Sequence, residues 1–366
     1  MAARKQLPEP PSLITSLPQD VIVDILARVS RFDYPALSLV CKHFRSIVTS
    51  PEIFTRRSLL GCTEHCLYVV LSNMDETYSN HCYILCQKSH GERRLVHIPS
   101  VPAIHTYFSY TTIGYVAVGS RIYVFGRSTT DRMMSLSIDC VSHTVQPLPS
   151  MPVTMSNTVA DIIEGRIYLI GYHNLYDWER KMVVFNTETQ MWEPEMIWLD
   201  NSGRYIYNNS CVVMADKIYT RDYANSFFYD PKENKWEMDE MLNLKGWQNA
   251  CVVDDVLYYV DYYKKELRAY DRKHSCWQVV KGLEALLLDT TRYRVEVWSP
   301  KTVSYDGKLA LFFHSLRRRE EKLREIWCAE ILLETRQGGE IWGKVEWCES
   351  LATGNFRFMK ALDVVV

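Results

Sequence analysis

The sequence predicts a small all-α module of three helices over residues 17–60, followed by an all-β, six-bladed propeller over residues 61–366, with residues 1–16 as a flexible lead-in. Three observations carry this reading. Residues 17 to about 60 show helical periodicity and contain no glycine. From about residue 66 the texture changes to short runs of β-branched and aromatic residues separated by Gly, Asn, Asp and Pro, and all ten tryptophans lie at or beyond Trp178. Within that zone two sequence markers recur at a common spacing, the signature of a repeat architecture.

The elements follow in order. Pro8, Pro10 and Pro11 mark a polar, proline-rich start. Ser16 with Gln19 three residues later forms a capping box, and Pro18 sits in the first turn, where a missing N–H costs nothing. Ile22, Ile25, Leu26 and Val29 then trace one apolar stripe. Asp33 caps a second helix with Pro35 in its first turn, and Leu37, Val40, Cys41, Phe44 and Val48 repeat the stripe. Ser50-Pro51 opens a third helix carrying Ile53 and Phe54. Three short helices bury too little surface to be comfortable alone, so a partner is expected to complete their core.

In this zone Leu17-Pro-Gln-Asp-Val-Ile-Val-Asp-Ile-Leu-Ala-Arg-Val29, Leu37-Ser-Leu-Val-Cys-Lys-His-Phe-Arg-Ser-Ile-Val48 and Ser50-Pro-Glu52 follow one another. This order and spacing resembles an F-box. One departure is Phe44, where many members have Trp; the aromatic is kept and an indole N–H contact is not.

In the β zone, Gly119-Ser-Arg-Ile-Tyr-Val-Phe-Gly126 is echoed by Glu164-Gly-Arg-Ile-Tyr-Leu-Ile-Gly171, and more weakly at Ala215–Tyr219, Asp254–Tyr258 and Asp306–Ala310. A second marker keeps step: Phe185-Asn-Thr-Glu-Thr-Gln-Met-Trp192, Tyr229-Asp-Pro-Lys-Glu-Asn-Lys-Trp236 and Tyr270-Asp-Arg-Lys-His-Ser-Cys-Trp277. Each unit reads as four antiparallel strands, a blade whose faces are buried only by radial neighbours. Units fall near 112–150, 156–200, 206–246, 248–288 and 300–350. A further blade takes three strands from Cys66–Pro102 and its missing strand from Phe356–Val366, which closes the ring. The repeats resemble kelch units, most clearly over 112–280. The usual Gly-Gly doublet is reduced to Gly126 and Gly171 and is absent at Arg221-Asp222.

Composition narrows the function. Lys plus Arg number 42 against 44 Asp plus Glu, a formal net charge of -2, which excludes binding to nucleic acid or an anionic membrane by bulk charge. No apolar run approaches the roughly 18 residues of a membrane span, and the start has no apolar signal core. The chain is expected to be soluble and intracellular, cytoplasmic or nuclear. Its 11 cysteines lie mostly within apolar runs and read as reduced, buried thiols.

Chemistry-bearing constellations are weak. Cys62, His65, Cys66, His81, Cys82 and Cys86 form the densest Cys/His group, but their spacing fits buried thiols better than zinc. His173, His274 and His314 are scattered, and no Walker loop, Gly-x-Ser-x-Gly or His-Glu-x-x-His occurs. No catalytic residue, metal or cofactor is expected. Arg317-Arg-Arg-Glu-Glu-Lys322 reads as a solvated loop. In a four-stranded blade the loop after the second strand and the loop between blades share one rim. That rim is expected to carry Arg127, His173, Tyr223, Tyr262, Tyr263 and His314 from the first set, and Tyr107, Arg204, Tyr205 and Trp247 from the second.

Taken together, the chain resembles plant-type F-box/kelch-repeat proteins over nearly its whole length. The resemblance implies a substrate receptor of a Skp-cullin-F-box ubiquitin ligase. The helices dock on a Skp-type adaptor, which brings cullin and RING subunits, and the propeller holds a protein substrate. By motif, Leu17, Pro18, Ile22, Ile25, Leu26, Leu37, Val40, Cys41 and Phe44 form or support the adaptor-facing surface. The competing classes are a non-degradative, adaptor-bound scaffold and an enzymatic propeller.

Overall fold

A computed structural model describes residues 17–75, 79–87, 91–106, 113–127, 133–172, 180–199, 210–221, 225–290, 300–316 and 324–366. The chain divides into two compact units, Met1–Glu64 with Val365–Val366, and His65–Val364.

The first unit is helical: α1 (Gln19–Ala27), α2 (Tyr34–Val40), α3 (Lys42–Val48) and α4 (Pro51–Leu59). Four segments replace the three expected, because the second stripe is interrupted at Cys41. That residue is extended (φ -159°, ψ 165°), and its sulfur accepts a hydrogen bond from the Phe44 N–H, capping α3. The cap expected from Asp33 is not made; Ser30 Oγ instead accepts from Phe32 N at the start of a single 3-10 turn over Arg31–Asp33. The capping box involves Ser16, outside the described residues, and α1 has no side-chain cap at Pro18. Ser50 does not cap α4 either; its hydroxyl donates back to Ile47 O.

Ile22, Val23, Leu26, Ala27, Tyr34, Phe44, Ile47, Val48 and Ile53 form the unit's core. Arg57 of α4 is buried among them. Its Nη1 donates to Ala27 O at 2.9 Å, Val29 O at 2.6 Å and Tyr34 Oη at 3.2 Å, and its Nη2 lies 3.2 Å from Glu64 Oε1. A guanidinium thus satisfies carbonyls at the C-terminal end of α1 that no backbone donor reaches. A core of nine buried apolar side chains is small, and polar links add to it: Arg57 ties α4 to the end of α1, and Arg56 of α4 pairs with Asp24 of α1.

The second unit is six antiparallel sheets. Blade I combines β1 (His65–Asn73), β2 (Ser79–Gln87) and β3 (Arg93–His97), with a two-residue β4 (Ile104–His105) beside β2. Blade II holds β5 (Gly114–Val118), β6 (Arg121–Arg127), β7 (Met133–Asp139) and β8 (Thr144–Pro147). Blade III holds β9 (Ser156–Ile163), β10 (Arg166–Tyr172), β11 (Arg180–Asn186) and β12 (Met191–Leu199). Blade IV holds β13 (Ser210–Met214), β14 (Lys217–Arg221), β15 (Ser226–Asp230) and β16 (Lys235–Met238). Blade V holds β17 (Cys251–Val253), β18 (Val256–Asp261), β19 (Glu266–Asp271) and β20 (Cys276–Val279). Blade VI holds β21 (Lys301–Tyr305), β22 (Lys308–Leu316), β23 (Arg324–Thr335) and β24 (Ile341–Gly354). The last strand, β25 (Phe356–Val365), pairs with β1, so the chain's end takes the first-strand position of blade I and closes the ring as expected. Two short helices that the all-β reading of 61–366 did not contain, α5 (Glu240–Asn243) and α6 (Glu284–Thr290), fill two inter-blade connections and bury Leu242 and Leu287.

Both repeat markers have physical causes. Hairpins between first and second strands turn on two residues in left-handed conformation, Glu164–Gly165, Ala215–Asp216, Asp254–Asp255 and Asp306–Gly307. Such turns match the twist of the flanking strands. Between third and fourth strands, Asp139, Asn186, Asp230 and Asp271 each accept two backbone N–H groups through Oδ1. Each such turn ends on a residue with positive φ, namely His143, Gln190, Asn234 and Ser275. The Trp that follows caps a seam: Trp192 packs edge-on to Phe125 of blade II at 5.2 Å and Nε1 donates to Pro149 O at 3.0 Å. Trp277 Nε1 donates to Met241 O at 2.9 Å. Gly126 and Gly171 end second strands where the next segment approaches closely. A Cβ there would come within 3.1 Å of Ile113 Cγ1 and 3.0 Å of Thr158 Cγ2 respectively.

Seams between blades are apolar with one recurring hydroxyl. Thr158 of blade III donates to Phe125 O of blade II at 3.0 Å, and Thr302 of blade VI donates to Tyr258 O of blade V at 2.9 Å. The closing blade is fixed on both sides. Tyr68 Oη donates to Cys140 O of blade II at 3.0 Å, while Arg93 bonds Glu349 of blade VI and lies 4.4 Å over the Trp347 ring.

Candidate functional site

The helical unit separates the nine motif residues that sequence alone left mixed. Ile22, Leu26 and Phe44 are core, and Leu37 and Cys41 pack against that core. Leu17, Pro18, Ile25 and Val40 face solvent. Ile25 is 42% exposed and its neighbour Leu26 only 3%, so adjacent positions in one motif have different tasks. Three exposed apolar residues were missed: Val21, which with Leu17 and Ile25 completes an i, i+4, i+8 row, Leu39, 78% exposed beside Val40 at 66%, and Leu59 at the end of α4. The signal was there, since α1 carries apolar residues on more than one face. Exposed large aliphatics grouped on a small unit are the kind of surface that a protein partner covers.

On the propeller, Arg127, Tyr262–Tyr263 and His314 lie at or beside the ends of second strands in blades II, V and VI, and so at the same end of their blades. Tyr263 is 80% exposed and packs edge-on to Tyr262 at 5.8 Å. Arg127 Nη1 reaches Ser156 Oγ of the next blade at 3.4 Å. His314 is partly buried; burial and the nearby cations Arg324, Lys301 and Arg357 push its pKa down to about 3, so the ring is neutral. Trp247 corrects the expectation. It is fully buried, its Nε1 donates to Ser226 Oγ at 2.9 Å, and it packs with Val212, Tyr219 and Leu257 in the seam between blades IV and V. An aromatic in an inter-blade connection reads the same in sequence whether it faces out or folds into the seam. Tyr107, His173, Arg204, Tyr205 and Tyr223 lie outside the described residues, as does the run Arg317–Lys322.

The Cys/His group is dispersed by the fold. His65 Nδ1 lies 2.7 Å from Asp363 Oδ2, His81 packs on His97 at 5.3 Å, and Cys82 is buried with its thiol pushed up to about 12. All 11 cysteines are free thiols, and among the described residues no three metal-ligating groups converge. His274 bonds Asp271 in a third-to-fourth-strand turn, the opposite end of a blade from His314.

Comparison with known proteins fits this geometry. The family model of the FKB95 Kelch-repeats domain matches residues 80–352, and the F-box domain model matches residues 14–56. The chain is 44% identical to the F-box/kelch-repeat protein At4g38940 of Arabidopsis thaliana over 100% of its own length and 98% of that protein's. It is 35% identical to the F-box/kelch-repeat protein At4g39550 of the same plant, covering 96% of this chain and 93% of the relative. The chain belongs to the F-box/kelch-repeat family. The F-box match ends within α4, and the kelch match runs from β2 into β24. Blade I is thus completed by β1 and β25, which lie outside the matched kelch span of this F-box/kelch-repeat chain. Among the described residues, no helix is long and apolar enough to cross a membrane.

Proposed function

We propose that the chain is the substrate-recognition subunit of a Skp-cullin-F-box ubiquitin ligase. The helical unit docks on a Skp-type adaptor, and the propeller rim holds a client protein. The observation that carries this reading is the exposed aliphatic row Leu17, Val21 and Ile25 with Leu39 and Val40, on an F-box that precedes a kelch propeller. In this role the chain catalyses nothing itself. Its work is proximity: tethering a client beside a recruited conjugating enzyme raises the effective concentration of client lysines. The rim supplies the residue types that dominate protein interfaces, with Tyr262, Tyr263 and Arg127 as contact groups. The test is binding of the purified chain to a purified Skp-type adaptor by calorimetry. A one-to-one complex of sub-micromolar order supports the role, and no saturable heat removes it.

A further inference from the structure

Blades I and II meet along a seam that Tyr68 of β1 crosses with its bond to Cys140 O. Two residues along the same strand, and so on the same face, Val70 lines a small cavity in that seam. Ile122 of β6 faces it from blade II, and Ile104 of β4, opposite Asn80 in register, covers it. The rest of its lining includes three groups with polar atoms, Asn80 and Cys82 on β2 and Tyr115 on β5. The cavity leaves about 10 Å³ for the centre of a water-sized sphere, room for one water molecule and for nothing larger. Asn80 is 2% exposed and Tyr115 5%. Both ends of the Asn80 amide, Oδ1 and Nδ2, and the Tyr115 Oη are buried and make no hydrogen bond among the described residues. Burial raises the Tyr115 pKa and the neighbouring Cys82 adds to it, so the phenol stays protonated and its O–H is a donor. Asn80 acts on the phenol in the opposite sense, yet the two side chains do not reach hydrogen-bond geometry.

Cavities lined only by apolar groups stay dry, whereas a buried amide or hydroxyl left without a partner is costly. Here such groups face one space from the two sides of one seam. A water molecule brings two donors and two acceptors. It accepts from the Tyr115 O–H, and either end of the Asn80 amide serves it, Oδ1 as acceptor or Nδ2 as donor. The Cys82 thiol on the same wall is a weak further partner. That makes the two to three contacts that hold a buried water in place. Among the described residues no charged side chain lines the cavity, so it offers nothing to an ion.

We propose that this cavity is a binding site for a single ordered water molecule, which joins Asn80 of blade I to Tyr115 of blade II. The site goes beyond the receptor reading and stands on the propeller alone. The water does at this seam what the Thr158 hydroxyl does between blades II and III and the Thr302 hydroxyl between blades V and VI: it satisfies buried polar atoms across the boundary. Unlike a hydroxyl it is not covalently held. It leaves only when the seam opens, so its residence time reports the local opening of blade I from blade II.

The experiment counts long-lived internal waters of the full chain by water-oxygen magnetic relaxation dispersion and compares melting midpoints of Tyr115→Phe, Asn80→Leu and the double variant. The unsubstituted chain is expected to hold one more long-lived water than Asn80→Leu, which replaces the amide by an apolar group. Tyr115→Phe is expected to lower the midpoint by roughly 2 °C, because the water loses a partner. In the Asn80→Leu background the same change is expected not to lower it, because the phenol O–H is already orphaned there. A dry cavity predicts the reverse in the unsubstituted chain: Tyr115→Phe raises the midpoint and no water is lost. A direct bond between Asn80 and Tyr115 predicts the same melting signs as the water with an unchanged water count. Either result overturns the proposal. Tyr115→Phe is close to isosteric and tests the site even if Asn80→Leu does not fold: the water in it is expected to exchange at least tenfold faster, and an unchanged dispersion overturns the proposal as well. Adaptor binding is read separately on the same samples, so failure here is distinct from failure of the receptor reading.

Discussion

Adjacent residues Ile25 and Leu26 allow adaptor docking and folding of the helical unit to be separated by two substitutions. Ile25 is 42% exposed and Leu26 is 3% exposed. Full burial of an isoleucine stabilises by about 1.5 to 3 kcal/mol, so the exposed part of Ile25 has about 1 kcal/mol left to contribute on docking. Ile25→Asp forfeits that and places a carboxylate in the interface, whose desolvation costs several kcal/mol more. The sum, at least about 3 kcal/mol, is a loss of roughly a hundredfold or more in adaptor affinity. Stability of the unbound chain should change by only about 0.5 kcal/mol, as for other solvent-facing positions. Leu26→Asp acts differently. It removes a core side chain worth about 2 to 5 kcal/mol and buries a charge among Val23, Phe44 and Ile53, in a unit too small to absorb that cost. The assays are calorimetry against a Skp-type adaptor and hydrogen exchange of α1. Ile25→Asp should lose binding with α1 still protected, and Leu26→Asp should lose both. Ile25→Asp binding within threefold of the unsubstituted chain refutes the assignment of this face.

Three further outcomes follow from the geometry. Deleting residues from Phe356 onward removes buried Phe358, Leu362 and Val364, about 5 to 9 kcal/mol of apolar burial, comparable to a whole domain's stability; calorimetry should show no cooperative propeller transition, and an unchanged melt contradicts ring closure by β25. Trp247→Ala should cost about 3 to 5 kcal/mol and lower the melting midpoint by roughly 5 to 8 °C, whereas Tyr263→Ala should leave it unmoved and weaken client capture; equal melting shifts for the two would reverse their assignments. His314 is held neutral to about pH 3, below the ordinary value near 6.5. The unfolded chain therefore takes up a proton first, and stability should fall as pH drops from about 6.5 toward 3, more steeply than in His314→Asn; parallel profiles would contradict this.

The fold was legible because its repetition is written twice, in the hairpin marker at Arg121 and Arg166 and in the turn-plus-Trp marker ending at Trp192, Trp236 and Trp277. Each reflects a backbone requirement, left-handed turns in one case and an Asx turn followed by a seam residue in the other. Single-residue breaks were not legible. Cys41 lies within a continuous apolar stripe, and only its extended backbone and the hydrogen bond from Phe44 N reveal two helices where one was expected. The helices α5 and α6 hide in connections whose few apolar residues, such as Leu242 and Leu287, are buried by neighbouring blades rather than by a pattern of their own. The candidate site was legible by type and not by facing. Ile25 and Leu26 look equivalent in the motif, and Trp247 looks like Tyr263, because orientation is decided by packing partners distant in sequence.

The central claim is that this chain selects a protein for ubiquitination, and the most direct measurement is client half-life. Proteins captured by the full chain under proteasome inhibition are followed by pulse-chase with and without the chain, and with the Ile25→Asp form. The receptor account predicts at least one captured protein whose half-life lengthens on removal of the chain and is not shortened again by Ile25→Asp. Captured proteins whose half-lives are the same in all three conditions would contradict the account and leave an adaptor-bound scaffold.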